Sequence, residues 1–203
     1  MTATGQQQQQ QRDDGLIHGL TVQEVDALSK GCLEARGRAY CPYSQFRVGA
    51  ALLIDPAARP SFPSPSSSAD HNPDHPRIVV GANVENAAYP VGTCAERVAV
   101  GTAVTTFGYG RGAFKAVGVA TDLGGEQFCS PCGMCRQFLR EFLELDTPIF
   151  MHTNDGRYVV KTMGELLPMS FGPDVLPPPE KLLAQRQERE QQQQQQQQGN
   201  GSK

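Results

Sequence analysis

The stretch "TCAERVAV", Thr93 to Val100, crowds a cysteine, a glutamate and an arginine into Cys94–Arg97, directly ahead of apolar positions at helical spacing. A helix that only packs needs none of the three there. Further along, "CSPCGMC" places Cys132 and Cys135 at i and i+3 of a second helix start, where both sulfurs can grip one ion. Helix N-termini stabilise thiolates through free N–H groups and the helix dipole. Two such starts converging at one edge of a sheet would gather Cys94, Cys132 and Cys135 around a single zinc ion. Three thiolates leave a fourth position open for water, the mark of a catalytic rather than a structural site. Cys94 and Glu96, two apart, do not share a helical face. They meet at one site only if Cys94 projects from the helix tip and Glu96 from its first turn. Three thiolates on Zn²⁺ total −1, and Arg97 with the two helix N-termini would withdraw that charge from the metal.

Cys129 offers a competing arrangement, a closed four-cysteine structural site. It precedes Pro131, so it is expected in the strand-to-helix loop and aimed elsewhere. A redox role for the Cys132–Cys135 pair would want the motif after an early strand. Cys32 and Cys41 read as small hydrophobes in the packing. His71 and His75 are four apart, but Pro73 and Pro76 forbid the helix that would make this a metal spacing.

These groups need elements to position them. "TVQE", Thr21–Glu24, reads as a capping box opening a helix to about Arg38. "FRVGAALLI", Phe46–Ile54, and "RIVVGANVE", Arg77–Glu85, are apolar runs of strand length. The Pro- and Ser-rich segment between them, about residues 56–76, is expected to be a disordered insertion at a hairpin tip. A helix follows over about Cys94–Thr106, then a strand over Ala113–Thr121. A third helix starts with Pro131 at its first position and carries Phe138, Leu139, Phe142 and Leu143 on one face. "PIFMH" and "RYVVK" flank a Gly-containing hairpin loop, and "TMGE", Thr162–Glu165, repeats the capping pattern. The order α-β-β-α-β-α-β-β indicates an α/β fold, a mixed sheet with helices packed on it.

The 203 residues hold Gln-rich ends that bury too little apolar surface to offset the entropy of ordering. One domain over residues 16–176 is expected between a disordered tail at 1–15 and a Pro/Gln-rich tail at 177–203. Eighteen Lys and Arg against 21 Asp and Glu give a formal charge of −3. That supplies no basic face for a nucleic acid polymer. No secretory signal is apparent, and no run approaches the ~18 apolar residues of a membrane span. The expected compartment is the reducing cytoplasm, with the nucleus as the other possibility, where six cysteines point to metal, catalysis or packing.

Four stretches, "YCPYSQFRVGAAL", "GANVENAAYPVGTCAERVAV", "SPCGMCRQFLREF" and "ELLPMSFGPD", resemble the small homotetrameric zinc-dependent cytidine deaminases in order and spacing. The resemblance covers about Leu20 to Leu176. It implies a three-layer α/β/α cytidine-deaminase-like fold with a mixed five-stranded sheet. It further implies that Cys94, Cys132 and Cys135 bind Zn²⁺ and that Glu96 shuttles protons while water attacks C4 of cytosine. Asn83 and Glu85 match the family's ribose-hydroxyl ligands, and Phe46 matches the aromatic that packs on the base. Ala95 joins the substrate contacts, and Arg97 stands behind the metal ligands. Tyr89 and Phe171 match residues that neighbouring subunits contribute, so a homotetramer would share its sites. The implied partners are cytidine and 2′-deoxycytidine, and the implied process is pyrimidine salvage. The insertion, both tails and Cys129 depart from the family pattern.

Other functions are separable by their chemistry. A polynucleotide-editing deaminase would want His in place of Cys94 and a basic channel for the strand. A phosphorylated substrate would meet repulsion from Glu85. A non-enzymatic zinc-stabilised interaction module would release no ammonia from cytidine.

Overall fold

The computed structural model describes residues 15–61 and 77–200. Most of the expected disorder at 1–15 and 56–76, with His71 and His75, therefore lies outside the described residues. The chain forms two compact units, one through Ser170 and one from Phe171, ahead of the expected boundary at Leu176.

Helix α1 spans Val22–Ala35, and Thr21 with Glu24 forms the expected capping box, each side chain bonding the other residue's N–H. Strands β1 (Val48–Ile54) and β2 (Ile78–Ala82) pair antiparallel. Helix α2 covers Ala95–Thr105, strand β3 Phe114–Thr121 and helix α3 Gly133–Arg140. Strands β4 (Pro148–His152) and β5 (Tyr158–Thr162) follow, and α4 (Met163–Leu166) has its own capping box from Thr162 and Glu165. The five strands form one sheet in the order β2-β1-β3-β4-β5. β3 and β4 are parallel, joined through α3, and the other neighbours are antiparallel. This is the expected mixed sheet.

Alternation along β1 divides the core in two. Ala50, Leu52 and Ile54 pack with Ala99, Val100 and Ala103 of α2 and Leu139 of α3. Ala51 and Leu53 pack on the other face with Val25, Leu28 and Cys32 of α1. Successive strand side chains point to opposite faces, so the sheet is sandwiched between α1 and the α2/α3 layer. Gly81 sets the depth of α2. A Cβ there would lie 2.4 Å from the Ala99 nitrogen and 2.6 Å from the Ala95 carbonyl, so only glycine lets this helix sit so close to β2.

Several boundaries differ from the sequence reading. Phe46 and Arg47 lie ahead of β1, where side chains replace ladder bonds: Val48 N–H donates to Asn83 Oδ1 at 2.8 Å and Arg47 N–H to Asp122 Oδ2 at 2.9 Å. Asn83–Glu85 lie beyond β2, where the backbone turns to Tyr40 and Thr93 for its bonds. Pro131 is not the first residue of α3; Cys132 caps the helix and Gly133 begins it. Helix α3 ends at Arg140, so of the expected apolar face Leu139 and Leu143 are buried while Phe138 is 39% exposed. In the second unit, Pro179–Asn200 forms helix α5 where a tail without order was expected. Leu, Ala, Glu, Lys, Gln and Arg are all good helix formers, and Arg186 pairs with Glu190 one turn on at 3.0 Å. Among the described residues, no helix is long and apolar enough to cross a membrane.

Candidate metal and catalytic site

β2 and β3 are both antiparallel to β1, so they run the same way and finish at the same edge of the sheet. The helices that follow them, α2 and α3, therefore start side by side. Cys94 is the N-cap of α2 and Cys132 the N-cap of α3, both with extended backbone and neither making a side-chain capping bond. Cys135 is one turn into α3 and fully buried. The three sulfurs lie within 4.8 Å of one another, with Cys94 and Cys132 3.8 Å apart. Tetrahedral zinc with bonds of about 2.3 Å sets its thiolates about 3.8 Å apart, so the donor set and its spacing suit this ion.

Glu96 is in the first turn of α2 and only 3% exposed, and it stands outside the sulfur group. Burial pushes its carboxyl up from the ordinary carboxylate value, and the neighbouring Cys94 charge adds to this. The thiols share protons unevenly. Cys94 is pulled down to about 5, first by a hydrogen bond from Cys135, then by Arg97 and Cys132 against the cost of burial. Cys135, as that donor, is pushed up, and burial raises it further. Arg97 donates from Nη2 to the Gly92 carbonyl at 3.2 Å. Its Nε is buried without an oxygen or nitrogen partner. The guanidinium instead favours the charged forms of Cys94 and Cys135, as a group set behind an anionic metal site would. Cys129 is half-buried in the loop ahead of Pro131, its thiol directed at the Ser130 carbonyl at 3.7 Å, and it is not one of the clustered sulfurs.

The loop entering Cys132 is fixed by a residue that spacing alone does not single out. Arg136 donates from Nε to the Pro131 carbonyl at 2.7 Å, from Nη1 to the Leu166 carbonyl at 2.8 Å and from Nη2 to Ser130 Oγ at 2.6 Å. Beside Cys135 in sequence it reads as an ordinary surface charge.

Of the candidate substrate residues, Asn83, Glu85 and Phe46 converge on one loop. Asn83 Nδ2 donates to the Phe46 carbonyl at 3.0 Å, and Glu85 Oε2 accepts from the Tyr43 and Ser44 N–H groups at 2.9 and 3.2 Å. Arg47 clamps the next position to Asp122 through two side-chain bonds of 3.1 and 2.9 Å, a pair whose distance in sequence hides it. Ala95 is the first residue of α2 and fully buried. Tyr89 lies on a short helical turn, 73% exposed and 5.9 Å from the Tyr43 ring. Phe171 opens the second unit and is 64% exposed.

Residues 69–151 match the model of the cytidine and deoxycytidylate deaminase zinc-binding region. A cytidine deaminase of Sporosarcina psychrophila is 35% identical over 153 residues, which span 75% of this chain and 95% of that protein. The chain belongs to the cytidine deaminase family. These are hydrolytic zinc enzymes, and the cysteine cluster described above can hold such an ion. A probable cytidine deaminase of Dictyostelium discoideum is 36% identical over 123 residues, 61% of this chain and 68% of its own. Among solved structures, the cytidine deaminase from Burkholderia pseudomallei superposes with a TM-score of 0.58 at 33% identity, covering 72% of this chain and 98% of that one. That likeness bears out the α/β architecture read from the sequence.

Proposed function

We propose that this chain hydrolyses cytidine and 2′-deoxycytidine to uridine and 2′-deoxyuridine with release of ammonia, a pyrimidine salvage reaction carried out in the cytoplasm. One observation carries the reading: three thiols from two adjoining helix starts cluster at zinc spacing with a buried carboxyl, Glu96, on the same first turn. Zinc held by Cys94, Cys132 and Cys135 would supply the Lewis acidity that makes a water molecule nucleophilic near neutral pH. Glu96 takes a proton from the attacking water as its oxygen adds to C4, and passes it to ring N3. It then takes the remaining proton from the new C4 hydroxyl and gives it to N4; the C4–N4 bond breaks as the C4 carbonyl forms, and ammonia leaves. A carboxyl raised by burial suits a group that must both accept and release protons. Phe46 packs on the base, Asn83 and Glu85 take the sugar hydroxyls, and Ala95 lines the floor. Arg97 lowers the cost of gathering three thiolates.

Tyr89 and Phe171 then act in neighbouring subunits of a homotetramer. Exposed apolar surface supports assembly: Tyr89, Val91, Met134 and Phe138 are 73, 64, 60 and 39% exposed. An open groove of about 670 Å³ runs along α3, lined by Arg97, Met134, Gln137, Phe138 and Phe142 among others. Ammonia release from cytidine and 2′-deoxycytidine, with CMP and oligonucleotides as controls, tests the substrate. Turnover of both nucleosides with little on the controls is expected; activity only on CMP or a strand would overturn the reading. Light scattering at four chain masses is expected for the assembly, and a monomer active at full rate would remove the roles given to Tyr89 and Phe171.

A further inference from the structure

The loop that carries Phe46 is held by its backbone at both ends of that residue. Its carbonyl accepts from Asn83, and its N–H donates to Ser44 Oγ at 3.0 Å. Ser44 Oγ in turn bonds Glu85 Oε1. The direction of each bond is forced. An ionised carboxylate only accepts and a backbone N–H only donates, so the hydroxyl gives its single proton to Glu85 and takes the one from Phe46. Gln45, between them, has φ of 55°, a left-handed conformation that these fixed ends impose.

Glu85 can be counted out in the same way. A carboxylate offers about four acceptor sites. Oε2 is filled by the Tyr43 and Ser44 N–H groups, and Oε1 holds the Ser44 hydroxyl. One site on Oε1 remains, beside that hydroxyl. A charged acceptor with one opening suits a single hydroxyl donor.

We propose that Ser44 is a positioning residue: its hydroxyl aims the one open acceptor of Glu85 at a sugar hydroxyl and at the same time fixes the backbone that holds Phe46 against the base. Recognition of the two halves of the nucleoside is thereby tied through one side chain. The inference rests on the sugar-binding reading of Glu85 and the base-packing reading of Phe46 given above.

The test is the ratio of kcat/KM for cytidine to that for 2′,3′-dideoxycytidine, which lacks both ring hydroxyls, in Ser44→Ala, Ser44→Thr, Glu85→Gln and the Ser44→Ala/Glu85→Gln double variant. A hydrogen bond to a charged group lost from binding predicts a fall of about tenfold or more in that ratio for Ser44→Ala. The change should sit in KM, with kcat within about threefold, as expected for lost ground-state binding. Ser44→Thr, which keeps the hydroxyl, should restore most of it, and the double variant should fall no further than Glu85→Gln alone. If Glu85→Gln leaves the ratio intact, the sugar reading of Glu85 is what fails, and Ser44 loses its role with it. If Glu85→Gln abolishes discrimination while Ser44→Ala keeps it, Glu85 stands and the role of Ser44 is overturned. A parallel loss on both nucleosides in Ser44→Ala, or Ala and Thr variants that both fail to fold, would show Ser44 to be merely structural.

Discussion

A residue that carries protons is tested by a substitution that keeps its shape and removes that ability. Glu96→Gln should retain zinc and fold and lose about 10²–10⁴-fold in kcat, the usual contribution of a general acid/base. More than a tenth of wild-type turnover, measured by ammonia release, would remove the assignment. Cys129 and Cys132 make a second pair. With its thiol directed at Ser130 rather than into the cluster, Cys129→Ser should hold one zinc per chain by metal analysis and deaminate cytidine within severalfold of wild type. Cys132→Ser should lose the metal and destabilise the fold. If both variants lose zinc alike, the site is closed by four cysteines, and Glu96 has no water to act on. The thiols and Glu96 were legible in sequence because their chemistry is rare and each helix start shows its own close pair, Cys94 with Glu96 and Cys132 with Cys135. Ser44 and Asp122 were not, because their partners lie 41 and 75 positions away, and Arg136 was not, because two of its three acceptors are backbone carbonyls that no residue type marks. Only the folded loops reveal them.

Elements set where those residues stand, and two positions show how tightly. Gly81→Ala would drive a methyl group into the backbone of α2 at Ala95 and Ala99. The helix must shift outward and take Cys94 with it. Overpacking typically costs about 1–3 kcal/mol, so a lower thermal midpoint is expected together with faster zinc release to a chelator. An unchanged release rate would show that α2 can move without disturbing its cap. His152 on β4 joins the sheet to α1, its Nε2 2.8 Å from Ser29 Oγ and its Nδ1 3.6 Å from Cys32 Sγ. Burial lowers its pKa below 6.5, so the unfolded chain binds a proton that the folded chain refuses. Its contribution is fully present above about pH 6.5 and is lost as pH falls through the folded value. Urea midpoints should therefore fall more between pH 7 and pH 5 in wild type than in His152→Gln. Equal falls would place the acid sensitivity elsewhere. Element order and sheet type were readable from apolar periodicity. The strand ends were not: the apolar run from Phe46 looks continuous, but Asn83 and Asp122 side chains take the backbone bonds that a neighbouring strand would otherwise fill.

At the scale of the whole molecule, composition misled in one place. The glutamine tract after Gln185 has nothing to bury, yet its Gln, Glu and Arg residues favour helix on their own account, and α5 follows from that local preference. A contrast in capping reaches further. Thr21 and Thr162 close the starts of α1 and α4 with hydroxyls and glutamates, whereas α2 and α3 begin on Cys94 and Cys132 with no side-chain cap. An ion held by Cys94 and Cys132 would instead tie these two uncapped starts to one another, fixing first turns that threonine caps fix in α1 and α4. Removing it with a chelator should lower the thermal midpoint and speed amide exchange in the first turns of α2 and α3, leaving those of α1 and α4 protected. Uniform loss of protection would contradict this. Folding and metal supply then become one equilibrium. Above the dissociation constant, each tenfold rise in free zinc should add about 1.4 kcal/mol to the folded state by mass action. The lifetime of this protein in a cell would follow the cell's zinc reserve, whether or not any cytidine is there to turn over.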